Sequence, residues 1–188
     1  MKKLRSILFK VGIAIIIVAL VLGGIVGFIF QFYLPITVAN QSFPQTNGEI
    51  KLTGLNQPVE IYRDAMGIPQ IYASTLHDLF FAQGYVHAQE RFWQMDFWRH
   101  IGSGTLSEMF GESQLDTDAF LRTLGWRQLA EEEYAGLSEE SHAILTAYSD
   151  GVNAYLKDHH GSELSLEYAI LKVLAPDYQI ESWTPINT

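Results

Sequence analysis

Residues 84–100 read GYVHAQERFWQMDFWRH, and this stretch decides the fold of the chain. Drawn as a helix it carries apolar side chains almost all the way round, so we expect a helix that is buried on most sides. It also carries ionisable side chains, whose burial without partners would be strongly unfavourable. We therefore expect Arg91 to meet a carboxylate, for which Asp64 and a residue outside this chain are candidates.

The segments around this stretch predict strands followed by helices. Ser74 or Thr75 can cap the helix, which should run over residues 76–101 and end at Gly102 and Gly104. Apolar and polar residues alternate upstream, which predicts strands at residues 50–53, 59–64 and 68–73, the last an edge or bulged strand because Pro69 lacks an N–H. Helical periodicity predicts three further helices downstream: residues 116–136, a segment after Ser138 with the stripe Ile144, Tyr148, Val152 and Tyr155, and residues 163–174. A short β-hairpin or meander followed by about four helices is typical of the α+β class.

The N-terminal part of the chain is predicted to anchor it in a membrane. Residues 11–30 form an uninterrupted apolar run that would span about 30 Å as a helix, the thickness of the hydrocarbon core. All the ionisable residues before the run are basic, so the positive-inside rule predicts a cytoplasmic segment 1–10, a single-pass signal anchor 11–33 in contact with the lipid bilayer, and an extracytoplasmic remainder. Residues 34–48 read as an extended linker. A signal peptide cleaved near Thr37-Val38-Ala39 is the alternative, although the apolar run is longer than such signals usually are.

Composition excludes several functions. The 188 residues include 12 Lys+Arg, 21 Asp+Glu and no Cys, and the formal net charge is −9. A disulfide framework, a cysteine-ligated zinc site and a cysteine nucleophile are therefore impossible. The acidic balance argues against a nucleic-acid partner, which would require a basic face.

Five blocks of sequence, in order, point to a known family. They are PVEIYRDAMGIPQIYA at 58–73, GYVHAQERFWQMD at 84–96, GSGTLSEMFG at 102–111, DGVNAYL at 150–156 and SWTP at 182–185. Residues 49–188 thereby resemble the α-chain portion of the penicillin acylase family, in truncated form. The resemblance implies an incomplete part of the αββα fold of the N-terminal-nucleophile hydrolases.

The resemblance also implies a chemistry. Members of this family cut their own precursor into an α chain and a β chain, and the first residue of the β chain, usually Ser, attacks a linear amide such as a β-lactam side-chain amide or an N-acyl homoserine lactone. The α-amino group of that residue acts as the base, which suits an amine titrating near pH ~8. A calcium ion is common in full-length members, with ligands mostly in the β chain.

The catalytic parts of such an enzyme are expected outside these residues. No Ser precedes Asn here, as the family's Gly-Ser-Asn processing site requires, and the family's acyl-pocket residues and α-side calcium ligand follow the SWTP block. We assign no catalytic, cofactor-binding or metal residue to this chain, and we expect a downstream β chain of the same precursor to carry the nucleophile. Gln70 stands where the family often has His, and Gln cannot transfer a proton. The alternative is a non-catalytic, membrane-anchored binding or remnant domain, and the coding sequence after Thr188 separates the two.

Three other groups of residues have competing interpretations. His87 and Glu90 are spaced like metal ligands, but di-iron bundles need a second such pair, so a hydrogen-bonded core histidine is favoured. His159-His160 could bind a metal ion, but adjacent histidines before a Gly are more typical of an exposed helix end. The aromatic residues at 92–98 would either line an acyl pocket or, as favoured here, pack in the core.

Overall fold

A computed structural model describes the backbone of residues 2–188 and the side chains of residues 10–34 and 36–188. The described chain forms two compact units, residues 1–40 and residues 41–188. The first unit is helix α1, Lys2–Phe28, which continues through the π-helical turns of Ile29–Val38. Most of the predicted cytoplasmic segment 1–10 lies outside the described side chains.

The apolar helix is long enough to cross a membrane. The helical stretch Lys10–Ser42 is the one helix among the described residues with the length and composition of a membrane span, a property that signal sequences near an N-terminus share. Residues 34–42 differ from the extended linker predicted there, because helical turns persist through a 3₁₀ turn at Ala39–Ser42. The side chains of Thr37 and Asn40 donate to the carbonyls of Tyr33 and Ile36, and so support these turns.

The second unit begins with a β-hairpin. Strand β1, Glu60–Arg63, pairs antiparallel with strand β2, Pro69–Tyr72, and Arg63 lies opposite Pro69. Both strands are edges, which accommodates Pro69 as expected. The turn between them is held by the Asp64 carboxylate, which accepts from the backbone N–H groups of Met66 and Ile68 at 2.8 and 2.9 Å.

The prediction of a strand at residues 50–53 was wrong. These residues have no strand partner in the described chain, where the sheet is two-stranded. Leu52 packs against the helical core instead and is partly buried, so the alternation there reflects one inward side chain in a loop rather than a half-buried strand. The unit is thus mostly helical with a single hairpin.

Helix α2, Leu76–Ser103, confirms the main prediction. The Thr75 side chain accepts from the backbone N–H of Asp78 at 3.1 Å, and Gly104 ends the helix with φ 63°. That left-handed φ suits glycine at a helix end. The helix is kinked at Arg91, whose φ of −151° and ψ of 30° are not helical.

Five further helices follow, two of them in place of one predicted helix. Gly125, with φ 72°, divides the segment predicted at 116–136, and the helix predicted from Glu163 begins three residues later, after a 3₁₀ turn. The bounds are α3 Leu106–Phe110, α4 Leu115–Leu124, α5 Trp126–Ala135, α6 Glu139–Asp158 and α7 Leu166–Leu174.

The core lies where α2 crosses α6. Tyr148, Val152 and Tyr155 of the predicted stripe are buried and face α2. Gly84 and Gly151 let the backbones touch, since a Cβ on either would lie 2.0 or 1.9 Å from a carbonyl oxygen of the other helix. Helix α2 of this crossing also carries Asp78, Glu90 and Asp96, whose contacts are described below.

Candidate functional site

Asp96, on the second half of α2, is a buried carboxylate with several partners. Its side chain is fully buried, and one carboxylate oxygen accepts from the hydroxyls of Tyr168 and Tyr178, both at 2.6 Å. The other oxygen pairs with Arg99. We call Asp96, Arg99, His100, Tyr168 and Tyr178 the Asp96 cluster.

The remaining members close the cluster against solvent. The Nε2 atom of His100 lies 2.9 Å from the Tyr178 hydroxyl, and its Nδ1 atom lies 2.7 Å from Thr105 Oγ1. Arg99 donates to the carbonyls of Glu181 and Ser182 at 3.1 and 3.4 Å. Its guanidinium also lies 5.3 Å from the centre of the Trp183 ring, within cation–π range.

Electrostatics keep the two tyrosines as hydrogen-bond donors. Burial raises the pKa of Tyr168 and Tyr178 far above the ordinary tyrosine range, and the negative charge and hydrogen bond of Asp96 raise both further. A group that stays protonated at every physiological pH does not act as a general base. The hydrogen bonds and the ion pair of the Asp96 cluster fasten residues 168–183 to α2.

A second ion pair holds the hairpin on α2. Arg63 of β1 bonds to Glu90, and its other terminal nitrogen donates to Gln89 at 3.4 Å. Both charged side chains are less than one fifth exposed. Arg91 meets a carboxylate as expected, but that of Glu90, one of whose oxygens lies 4.0 Å from the guanidinium. The Asp64 carboxylate holds its own turn instead, and the Arg91 side chain is 57% exposed.

His87 has the predicted structural role. Its Nδ1 atom lies 2.9 Å from the Tyr148 hydroxyl on α6, and Glu90 pairs with Arg63, so the two side chains do not share a ligand. Burial lowers the pKa of His87, and the positive charge of Arg91 lowers it further. Among residues whose side chains are described, no group of three or more His, Asp or Glu side chains is placed to hold a metal ion.

Two other buried aspartates bind backbone N–H groups, Asp78 those of a loop and Asp118 those at the beginning of α3. The Asp78 carboxylate accepts from the backbone N–H groups of Asn56 and Gln57 at 2.8 and 3.2 Å. That of Asp118 accepts from Leu106 and Ser107 at 2.7 and 2.9 Å. Burial opposes the charged form of Asp78, but hydrogen bonds, the first from Asn56, outweigh it and lower the pKa to about 2. Sequence reasoning missed these roles, since the partners lie far away along the chain.

The aromatic segment at 92–98 divides between two environments. Phe92 is fully buried beside Tyr168 and Trp183, as the core-packing interpretation predicted. Trp98 is 59% exposed and lines an open groove of about 370 Å³. The groove runs between α2, α5 and the C-terminal turn, and Trp126 and Arg99 also line it.

The outer face of the hairpin is the most exposed apolar surface outside the helices. Met66 is 84% exposed, and the rings of Tyr62 and Tyr72 pack edge to face at 5.9 Å on the surface. Both outer edges of the two strands lack a neighbouring strand within the described chain. A folded monomer rarely presents free strand edges next to apolar side chains, so this face is suited to pairing with more protein.

Comparison with known proteins identifies the fold just described. The family model for penicillin amidase matches residues 58–188. The chain belongs to the penicillin amidase family. The match covers the hairpin, the α2–α6 crossing and the Asp96 cluster, and it confirms the resemblance carried by the five sequence blocks.

Individual relatives of this penicillin amidase family member are consistent with the family assignment. The chain is 40% identical over 144 residues to an acyl-homoserine lactone acylase, QuiP, of Pseudomonas aeruginosa, covering 77% of this chain and 16% of the relative. It is 35% identical over 144 residues to the penicillin acylase 2 proenzyme of a Pseudomonas species, covering 77% and 18%. The chain thus spans less than one fifth of the curated relatives it matches.

A solved structure shows the same fold. A thermostable penicillin G acylase from Alcaligenes faecalis superposes with a TM-score of 0.61 and 29% sequence identity. The match covers 71% of this chain and 69% of the solved chain, so the two chains are similar in length. The solved chain is therefore far shorter than the curated relatives.

Proposed function

We propose that this chain is the N-terminal, α-chain portion of an acylase-like amidohydrolase, tethered to a membrane by residues 11–33. The observation that carries the proposal is the match of residues 58–188 to the penicillin amidase family. The coverage figures support the α-chain assignment, because the chain resembles a solved chain of similar length and spans only a small share of each curated relative.

The reaction is hydrolysis of a linear amide, with an N-acyl homoserine lactone or a β-lactam side-chain amide as substrate. These classes come from the relatives, one named an acyl-homoserine lactone acylase and another a penicillin acylase. The nucleophile belongs to a downstream β chain, where a calcium ion would also bind. On this proposal the nucleophile of the enzyme is not among the side chains described above.

The residues of this chain provide structural support for that catalytic centre. The Arg63–Glu90 pair and the Asp96 cluster hold the hairpin and the C-terminal turn on α2, one before and one after its kink at Arg91. The apolar hairpin face and its free edges then present a surface on which a larger sheet can continue. Fixed supports of this kind maintain a reacting geometry to within fractions of an ångström.

The test is an assay of the chain with and without its downstream partner. The 188-residue chain alone should release no acid from a panel of N-acyl homoserine lactones and phenylacetyl amides. Co-expression with the segment that follows in the same reading frame should produce activity. Disrupting the hairpin support with Arg63→Ala should lower that activity, whereas Arg127→Ala, at an exposed ion pair, should not.

Two results would contradict the proposal. Turnover by the 188-residue chain alone would show a complete catalytic centre within it. A stop codon directly after Thr188, with stable accumulation of the chain, would favour the non-catalytic anchored domain.

A further inference from the structure

Helix α7 presents an apolar face that the core does not use. Tyr168 and Leu171 point into the core and are buried. Ile170, Val173 and Leu174 follow one another at helical spacing on the other side and are 47%, 80% and 71% exposed. We call these three side chains the α7 patch. A short helix with apolar side chains on both faces needs a second apolar environment for the outer one.

A contact in the turn before α7 indicates where this second apolar environment lies. Ser162, in the turn that precedes α7, donates to the Gln41 side chain at 2.6 Å. Gln41 belongs to the same compact unit and lies at the end of the candidate membrane span, Lys10–Ser42. Phe43, two residues further on, is 69% exposed. The chain therefore enters the compact unit beside α7.

We propose that the α7 patch rests on the lipid surface of the membrane that holds the anchor. The proposal depends on the anchoring part of the proposed function and adds a second membrane contact to it. Charge is compatible with this partner, because α7 carries one acidic residue, Glu167, and one basic residue, Lys172, and the patch itself carries none. An uncharged patch suits the interface of a zwitterionic bilayer.

Because the domain is tethered, a patch of three side chains is sufficient for a stable second contact with the membrane. Three aliphatic side chains would bind a bilayer weakly on their own, since stable membrane attachment generally takes two signals. An anchored domain stays close to the bilayer, which raises the effective concentration of the patch at the lipid surface. The second contact then orients the domain, and with it the hairpin face, relative to the membrane.

Depth-dependent fluorescence quenching tests the contact. The chain has no cysteine, so Val173→Cys gives a single attachment site for an environment-sensitive nitrobenzoxadiazole dye. The matched control is Glu133→Cys, at an exposed position of α5, and Leu22→Cys reports on the anchor. Each labelled 188-residue chain is reconstituted into phosphatidylcholine vesicles without nitroxide lipids, or with lipids that carry the nitroxide high on the acyl chain for positions 173 and 133 and near the chain end for position 22.

The expected result is selective quenching. The dye at position 173 should be quenched about twofold, since the patch would lie in the outer ~5–10 Å of the bilayer. The dye at position 133 should be unaffected, and the dye at position 22 should be quenched as well.

Three other outcomes would overturn the proposal, each for a different reason. Quenching at position 22 without quenching at 173 leaves the anchor standing and removes the lipid contact. A blue-shifted but unquenched dye at 173 assigns the α7 patch to a protein partner. Absence of quenching at all three positions removes the anchor and the contact together.

Discussion

Replacing Gly84 by alanine should separate the two central helices. The new Cβ would lie 2.0 Å from the backbone oxygen of Tyr148, and contacts closer than 3.4 Å are already unusually tight. The clashing atom is main chain, so no change of rotamer relieves it, and α2 and α6 must move apart. Overpacking of this kind costs about 3 kcal/mol, from which up to ~1 kcal/mol is recovered because alanine favours helix.

The expected net loss is therefore about 2 kcal/mol of unfolding free energy. For a unit of this size ~1 kcal/mol corresponds to roughly 2–4 °C, so the melting temperature should fall by about 4–8 °C. Circular dichroism of the chain in detergent, as a function of temperature and of urea, measures both. Gly102→Ala is the control, because that position in α2 has nothing within 4 Å of an added Cβ and should be neutral or stabilising. An unchanged midpoint for Gly84→Ala would refute the close crossing.

Two further predictions concern the buried aspartates. Asp96→Asn should lower the free energy of unfolding in urea by about 3–5 kcal/mol, because the guanidinium of Arg99 stays buried without its counter-charge. The control Glu131→Gln, at an exposed pair, should lower it by less than ~1 kcal/mol. Equal losses of unfolding free energy in the two variants would contradict the argument. Asp78→Asn should remove part of the acid sensitivity. The folded pKa of Asp78 is about 2 against an ordinary 3.8, so its charged form adds stability above 3.8 that is lost as pH falls toward 2. Urea midpoints at pH 7 and pH 3 should differ less in this variant than in the wild type, and an identical acid loss in both would refute the role.

Local periodicity predicted the helices better than the strands. The Thr75 cap, the Gly104 end and the α6 stripe lie within a few residues of the backbone they control, so they are legible in the sequence. Residues 50–53 show strand alternation without a partner strand, and pairing is a property of two segments rather than of one.

The site followed the same division. The sequence predicted that charges on α2 needed partners, and the structure supplied them, but Glu90 pairs with Arg63 while Arg91 turns outward at the kink. Nothing local to Asp96 indicates which hydroxyls it will meet. Tyr168 and Tyr178 reach it only because α7 and the following loop fold back onto α2.

The amino-acid sequence by itself determined the apolar N-terminal helix, the capped helix α2, the absence of cysteine chemistry and the family blocks, because each depends on residue type and short spacing. Tertiary structure decided the kink at Arg91, the close crossing at Gly84 and Gly151, the Asp96 cluster and the exposed α7 patch. These depend on which distant surfaces meet, since burial and charge pairing are settled by the summed packing of the whole unit and not by any one segment.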